Sequence, residues 1–236
     1  MRVTSLRLAL QAAILAIAVS AAAPVGSAEP GHSRRGLAAR TEHGGVAAKA
    51  EYCTDCHGPS GQGYHGYLTM PRLAGQTPEY IENQLRSFAE RSRERDLFIN
   101  MAKVHGLTPD MRAAMAAHFR GLDPRPIGGG PRNLLGTGKR IYDEGIPEAN
   151  IPACAACHGP DAKGQEAIPR LAGQLYAYTV KELTNWSRER GQGPAKDDTS
   201  AVMTPIARAL TPAQVSAIAA YLVGQSSPGA RNGVQA

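Results

Sequence analysis

Aromatic side chains are scarce in this chain: one tryptophan, three phenylalanines and eight tyrosines, 5% of 236 residues. That is too little for two independent apolar cores of ordinary make-up, unless something large and flat is added to them. Apolar–polar alternation is also missing, which excludes a β-sheet fold and leaves an all-α one. No glycine-rich phosphate loop occurs. No assembled nucleophile or acid–base motif occurs either, and no cysteine is spare for thiol chemistry.

All four cysteines lie in two copies of one pattern, CTDCH at Cys53 to His57 and CAACH at Cys154 to His158. Cys-x-x-Cys-His is the attachment signature of a c-type haem. Two thiols three positions apart can each form a thioether to one porphyrin vinyl group, and the adjacent histidine is then held under the iron. A single Cys-x-x-Cys also serves zinc sites and thioredoxin-like redox centres. Two copies, each followed at once by histidine, point to haem. Two covalently attached haem c groups are therefore expected, on Cys53, Cys56, Cys154 and Cys157, with His57 and His158 as iron ligands. The macrocycles would supply the flat apolar surface that the aromatic content lacks, so each domain is expected to need its haem to fold.

The first residues read as an export signal. Arg2 and Arg7 form a short positive region, an apolar run extends from Leu8 to Ala23, and Gly26, Ser27 and Ala28 offer small residues for cleavage. Residues 1–28 are expected to be removed near Ala28, giving a periplasmic protein; an uncleaved anchor is the competing reading. Arg34 and Arg35 follow the apolar run and so are not a twin-arginine signal. The formal charge of +6 falls by two, to +4, without Arg2 and Arg7. Haem carboxylates would offset the rest, so nothing argues for a nucleic-acid partner. The run Arg86 to Arg95 mixes Glu90 and Glu94 with four arginines and reads as a solvated helix face.

The two halves repeat one another. PRLAGQ occurs at Pro71 to Gln76 and again at Pro169 to Gln174, each time followed by a helical stretch, with Ile81, Leu85 and Phe88 in one and Leu183 and Trp186 in the other. Each half closes with Leu-Thr-Pro, at Leu107 to Pro109 and Leu210 to Pro212, where threonine as N-cap and proline at the first helical position start a helix. The expected organisation is a domain over residues 42–122, a proline–glycine linker at 123–132, a second domain at 133–225 and a disordered tail at 226–236. In each domain the haem motif ends a short helix, a longer helix follows, and a capped helix closes.

The iron's sixth ligand separates a carrier from an enzyme. Beyond the linker Met203 is the only methionine and His158 the only histidine. Met203 sits in a polar loop, where it has little use as core filler, and is expected to ligate the second iron. In the first half Met70 and Met115 match isoleucines and read as core, Met111 matches Gln214 and reads as exposed, and His118 matches Tyr221, a packing position. Met101 lies six residues before the leucine of Leu-Thr-Pro, against seven for Met203. It is the expected ligand, with His105, His65 or an open site as alternatives. A histidine–methionine pair stabilises ferrous iron and raises the potential, which suits electron transfer.

With these residues in place, the chain resembles the cytochrome c4 family of periplasmic di-haem carriers. The paired CxxCH motifs, the PRLAGQ repeats, the loop methionine before a Leu-Thr helix start and the lead-in Gly138 to His158 carry the resemblance, over Gly44 to Gly224. It implies two tandem class I cytochrome c domains with the haems facing across an interface. It also implies that the Pro71 and Pro169 carbonyls orient His57 and His158, and that Arg72 and Arg170 pair with haem propionates, unless they are surface arginines. The three-residue insertion within Tyr64 to Leu68 and the shifted Met101 depart from the family pattern. The implied function is electron transport from a quinol-oxidising membrane complex or a dehydrogenase to a terminal oxidase, with redox proteins as partners and peripheral membrane association compatible. The alternatives are an electron-entry subunit of a dehydrogenase, and a di-haem enzyme of peroxidase or sulfur-oxidising type with one open iron.

Overall fold

Proline placement explains the main difference between the two halves. The computed structural model describes residues 34–90, 93, 106–190 and 199–225. The first haem motif ends a long helix, α1 (Arg34–His57), which no proline interrupts. In the second half the corresponding stretch breaks in two. Helix α4 (Leu135–Glu144) stops at Gly145, whose φ is +74°, and the motif begins again on the four-residue α5 (Ala155–His158). Pro147 and Pro152 in between cannot continue a helix, and the chain makes a single 3-10 turn at Pro147–Ala149. The motif thus ends a helix in both halves, but the helix is long in the first and a single turn in the second, where a short one was expected in each.

Beyond the motifs the halves run in parallel. Helix α2 (Pro78–Ala89) in the first half matches α6 (Tyr176–Glu189) in the second. The closing helices are α3 (Pro109–Arg120) and α8 (Pro212–Val223). Thr108 accepts from the Met111 amide, and Thr211 with Gln214 completes a reciprocal capping box, both with proline at the first helical turn. The second half adds α7 (Met203–Ala209), so Met203 opens a short helix instead of lying in a loop. Among the described residues strand structure is confined to a hairpin, β1 (Tyr64–His65) and β2 (Thr69–Met70), at the insertion where no strand was expected. Tyr64 folds over Gly66 there, a position without room for a side chain, while Tyr67 is wholly exposed.

Each half has its own apolar centre. In the first, Ile81, Ala116 and Phe119 are buried, with Cys53, Leu73 and Leu85 packed around them. The second is larger, with Ile141, Tyr142, Ile151, Ile218 and Leu222 at its middle and Cys154 against it. Met115 is buried, Met111 is half-buried where Gly45 of α1 meets it, and His118 is exposed against expectation, its ring edge-on to Phe119. Among the described residues no helix is long and apolar enough to cross a membrane; the leader (1–28) and the tail (226–236) lie outside them.

Close packing of α4 on α8 depends on Gly138, which faces the Ala217 carbonyl with no space for a β-carbon. Gly138→Ala is expected to lower stability by about 1–3 kcal/mol, the usual cost of overpacking, measured by denaturant unfolding of the holoprotein.

Candidate functional site: two haem-attachment motifs and the contact between them

The two motif histidines are held alike. His57 is 3% exposed and His158 6%. Nδ1 of His57 lies 2.8 Å from the Pro71 carbonyl oxygen, and Nδ1 of His158 lies 2.9 Å from that of Pro169. A carbonyl can only accept, so Nδ1 carries the proton and the lone pair of the neutral ring is on Nε2. Burial pushes His158 below its ordinary pKa and so favours the neutral imidazole, opposed in part by the bond to Pro169. The backbone repeats around both rings: Gly63 N–H donates to His57 O at 2.7 Å and Gly164 N–H to His158 O at 3.0 Å.

The cysteines divide in the same way in both copies. Cys53 and Cys154 are half-buried against the apolar centres, and Cys56 and Cys157 are exposed. Burial raises the pKa of Cys53 and pushes Cys154 up to about 11, so both are neutral thiols near pH 7. Each motif offers two thiols and one imidazole, one ligand fewer than a closed tetrahedral zinc site uses. Neutral thiols beside an apolar centre, next to an imidazole with its lone pair fixed on Nε2, fit a covalently held haem instead.

Met203 is half-buried at the first position of α7. Two bonds tie its segment to α6: Trp186 Nε1 donates to Ser200 O at 3.1 Å, and Arg208 Nε donates to Ser187 Oγ at 2.8 Å. The first-half candidates Met101 and His105 lie outside the described residues. His65 is exposed on β1.

For Arg72 and Arg170 the structure removes the alternative of a surface position. Neither is on the surface, with exposures of 3% and 6%, and they meet between the halves. Each donates through Nε to a carbonyl two residues on, Ala74 and Ala172, both at 3.0 Å. Each reaches Asp123 Oδ1 through Nη2, at 3.3 and 3.4 Å. Asp123 begins the stretch expected as a free linker; it is pinned, and Gly130 further along it packs against Ala220 and Tyr176. Burial, with the neighbouring Arg170, lowers the Arg72 guanidinium to about 10, against the pull of Asp123.

The glutamines of PRLAGQ complete this contact. Gln174 Oε1 accepts from Arg72 N at 2.8 Å and its Nε2 donates to Arg72 O at 3.1 Å. Gln76 does the same to Arg170, at 2.6 and 3.1 Å. A second patch lies between α2 and α6. Arg190 donates to Glu182 at 2.6 Å, to Tyr80 at 2.8 Å and to Gln84 at 3.0 Å; Arg93 donates to Gln84 at 2.6 Å and also reaches Tyr178 and Glu182. Arg93 is buried, so the run Arg86 to Arg95 is not simply a solvated face. None of these roles for Gln76, Gln174, Glu182 or Asp123 was anticipated; repetition of the glutamine with the rest of PRLAGQ was the available signal.

Comparison with known proteins agrees with the motif geometry. The cytochrome c family model matches twice, over residues 42–123 and 136–226. A cytochrome c4 from Thiocapsa roseopersicina is 34% identical over 185 residues, 77% of this chain and 91% of its own length. The chain belongs to the cytochrome c4 family. A solved cytochrome c4 from Acidithiobacillus ferrooxidans superposes with a TM-score of 0.62 at 32% identity, covering 73% of this chain and 98% of its own. A protein named thiosulfate dehydrogenase electron acceptor, from Thiomonas intermedia, is 34% identical over 75% of this chain and 80% of its own length. As a cytochrome c4, the chain is an all-α pair of tandem cytochrome c domains with covalently bound haem c, an electron-transfer protein and not an enzyme.

Glu182 makes the contact pH-dependent. Burial alone would raise its pKa, but Arg190, Arg93 and Lys181 overcome this and hold the carboxyl down at about 2, from an ordinary 4.5. A depressed carboxyl stabilises the fold above its unfolded pKa and loses that contribution as pH falls towards its folded one. Interdomain stability should therefore be complete above about pH 5 and decline between 4.5 and 2. Thermal unfolding across that range is expected to show a shallower acid decline for Glu182→Gln than for the wild type.

Proposed function

We propose that the chain is a periplasmic di-haem carrier, taking electrons from a dehydrogenase or a quinol-oxidising membrane complex and passing them to a terminal oxidase. The observation that carries the reading is the repeated pair of buried histidines, each with Nδ1 fixed by a proline carbonyl. Haem bound at each motif supplies a one-electron couple. The protein's part would be to hold it: Cys53 and Cys56, and Cys154 and Cys157, would be covalent anchors, His57 and His158 would ligate the irons, and Met203 in the second domain and Met101 in the first would supply a thioether to them. A proton fixed on Nδ1 and donated to a carbonyl raises the basicity of the ligating nitrogen. The Trp186 and Arg208 bonds keep the segment of Met203 in place, which favours a closed iron and small reorganisation. The boundaries in this reading are residues 42–122 and 133–225.

Export rests on the leader at 1–28. The name of the Thiomonas intermedia relative, an electron acceptor for thiosulfate dehydrogenase, favours a second reading for the donor side, in which a sulfur-compound dehydrogenase delivers the electrons.

Carbon monoxide titration of the reduced holoprotein, followed in the Soret band, tests the carrier assignment. Neither iron is expected to bind the gas in the wild type, and Met203→Ala is expected to open one stoichiometric site. Binding to one iron of the wild type would place an open site in the first domain and favour an enzyme.

A further inference from the structure

Among the described residues, exchange of the two halves leaves the fully buried charges between them unchanged in all but one place. Tyr80 corresponds to Tyr178 and position 84 to position 182, at the same spacing that separates the two PRLAGQ copies. Arg93 stacks over Phe88 at 4.6 Å and Arg190 over Trp186 at 4.8 Å. Both arginines bond to groups from both halves. In the neighbouring patch Arg72 and Arg170 share Asp123 almost equally, at 3.3 and 3.4 Å. The exception is that Glu182 has a neutral amide, Gln84, as its counterpart; half-buried Lys181, 3.7 Å from Glu182 and opposite Asn83 in the other half, offsets part of that charge from the solvent side.

We propose that this one mismatch, Glu182 against Gln84, makes the two haem sites electrostatically unequal and is a main source of the difference between their potentials. The proposal rests on the carrier reading given above. Because the halves repeat one fold, a charge at 182 stands to His158 as a charge at 84 would stand to His57. The paired arginines act alike on both sites and cancel in the difference, and so does the shared aspartate. Glu182 does not cancel. Its side chain is 7% exposed, so its field is weakly screened and reaches further than that of exposed pairs such as Lys163 with Asp161. A fixed negative charge favours the oxidised, more positive state of whichever site it is nearer.

The symmetry yields a test that does not require knowing which site that is. Glu182→Gln removes the odd charge, and Gln84→Glu balances it, so both abolish the same inequality. The holoproteins of these two variants and of the double exchange are titrated by spectroelectrochemistry with a two-site fit. The ratio of the two sites' reduction constants is expected to change in the same direction in both single variants, by about twofold or more. The double exchange should change it by the square of that factor. The mean potential should rise in Glu182→Gln and fall in Gln84→Glu, since their net charges change oppositely.

Single variants that move the ratio in opposite directions, or a double exchange that leaves it where the wild type has it, would overturn the proposal. General loosening of the contact moves the ratio alike in both single variants but does not shift their mean potentials in opposite directions, so mean potentials that move the same way also overturn the proposal. Should Glu182→Gln fail to fold, Gln84→Glu, which adds a carboxylate among arginines, still gives the predicted direction or contradicts it. Failure of the carrier reading would show separately, as carbon monoxide binding by the wild type before any variant is made.

Discussion

Each PRLAGQ segment is held on both of its sides, and the rest of the molecule is arranged around that double engagement. Towards its own half, the proline carbonyl accepts from the motif histidine and fixes the ring. Towards the other half, the arginine backbone is clasped by the partner segment's glutamine through a donor and an acceptor at once. Consecutive residues therefore link a motif histidine to the domain contact with no flexible spacer between them. The glycine before each glutamine makes this sharp path accessible: Gly75 and Gly173 have φ of +72° and +71°, a region glycine enters without strain. Gly75 also lies against the Arg170 guanidinium, where a β-carbon would crowd it.

The same segments account for how so much charge is tolerated in the interior. Buried guanidinium groups are costly unless their donors are met. Here the four arginines between the halves are met by carbonyls, glutamine and tyrosine oxygens, and two carboxylates, with Nε of Arg93 the one buried guanidinium nitrogen among the described residues left without an acceptor. The contact is polar and directional. Apolar adhesion would tolerate sliding, whereas bonds of this kind fix one relative placement. The sparse aromatic content fits that arrangement: Phe88 and Trp186 serve as platforms for the arginines, and little aromatic surface is left for the first apolar centre, which the macrocycle would complete.

Much of this was readable beforehand because it is local. The CxxCH motifs, the threonine–proline helix starts and the repeat of PRLAGQ each depend on residues a few positions apart. What escaped depends on pairs far apart in the chain. Arg93 lies in a run that looks like a solvent-facing helix, and only the distant Tyr178 and Glu182 make it an interior residue. Asp123 opens a stretch rich in proline and glycine, the composition of a loose connector, yet two arginines from different halves fix it. The hairpin at Tyr64 was missed because two-residue strands leave no alternation to detect.

The clasp is isologous: the same residues of each half serve as giver and receiver, as in a two-fold homodimer. A surface of that kind is self-complementary before any linker exists. A single half of the chain thus carries both faces of the joint, and covalent connection through Asp123 makes the contact intramolecular, so it does not depend on concentration. Because the joint is made by backbone atoms and the paired glutamines, other positions facing it can differ between the halves, as Glu182 and Gln84 do.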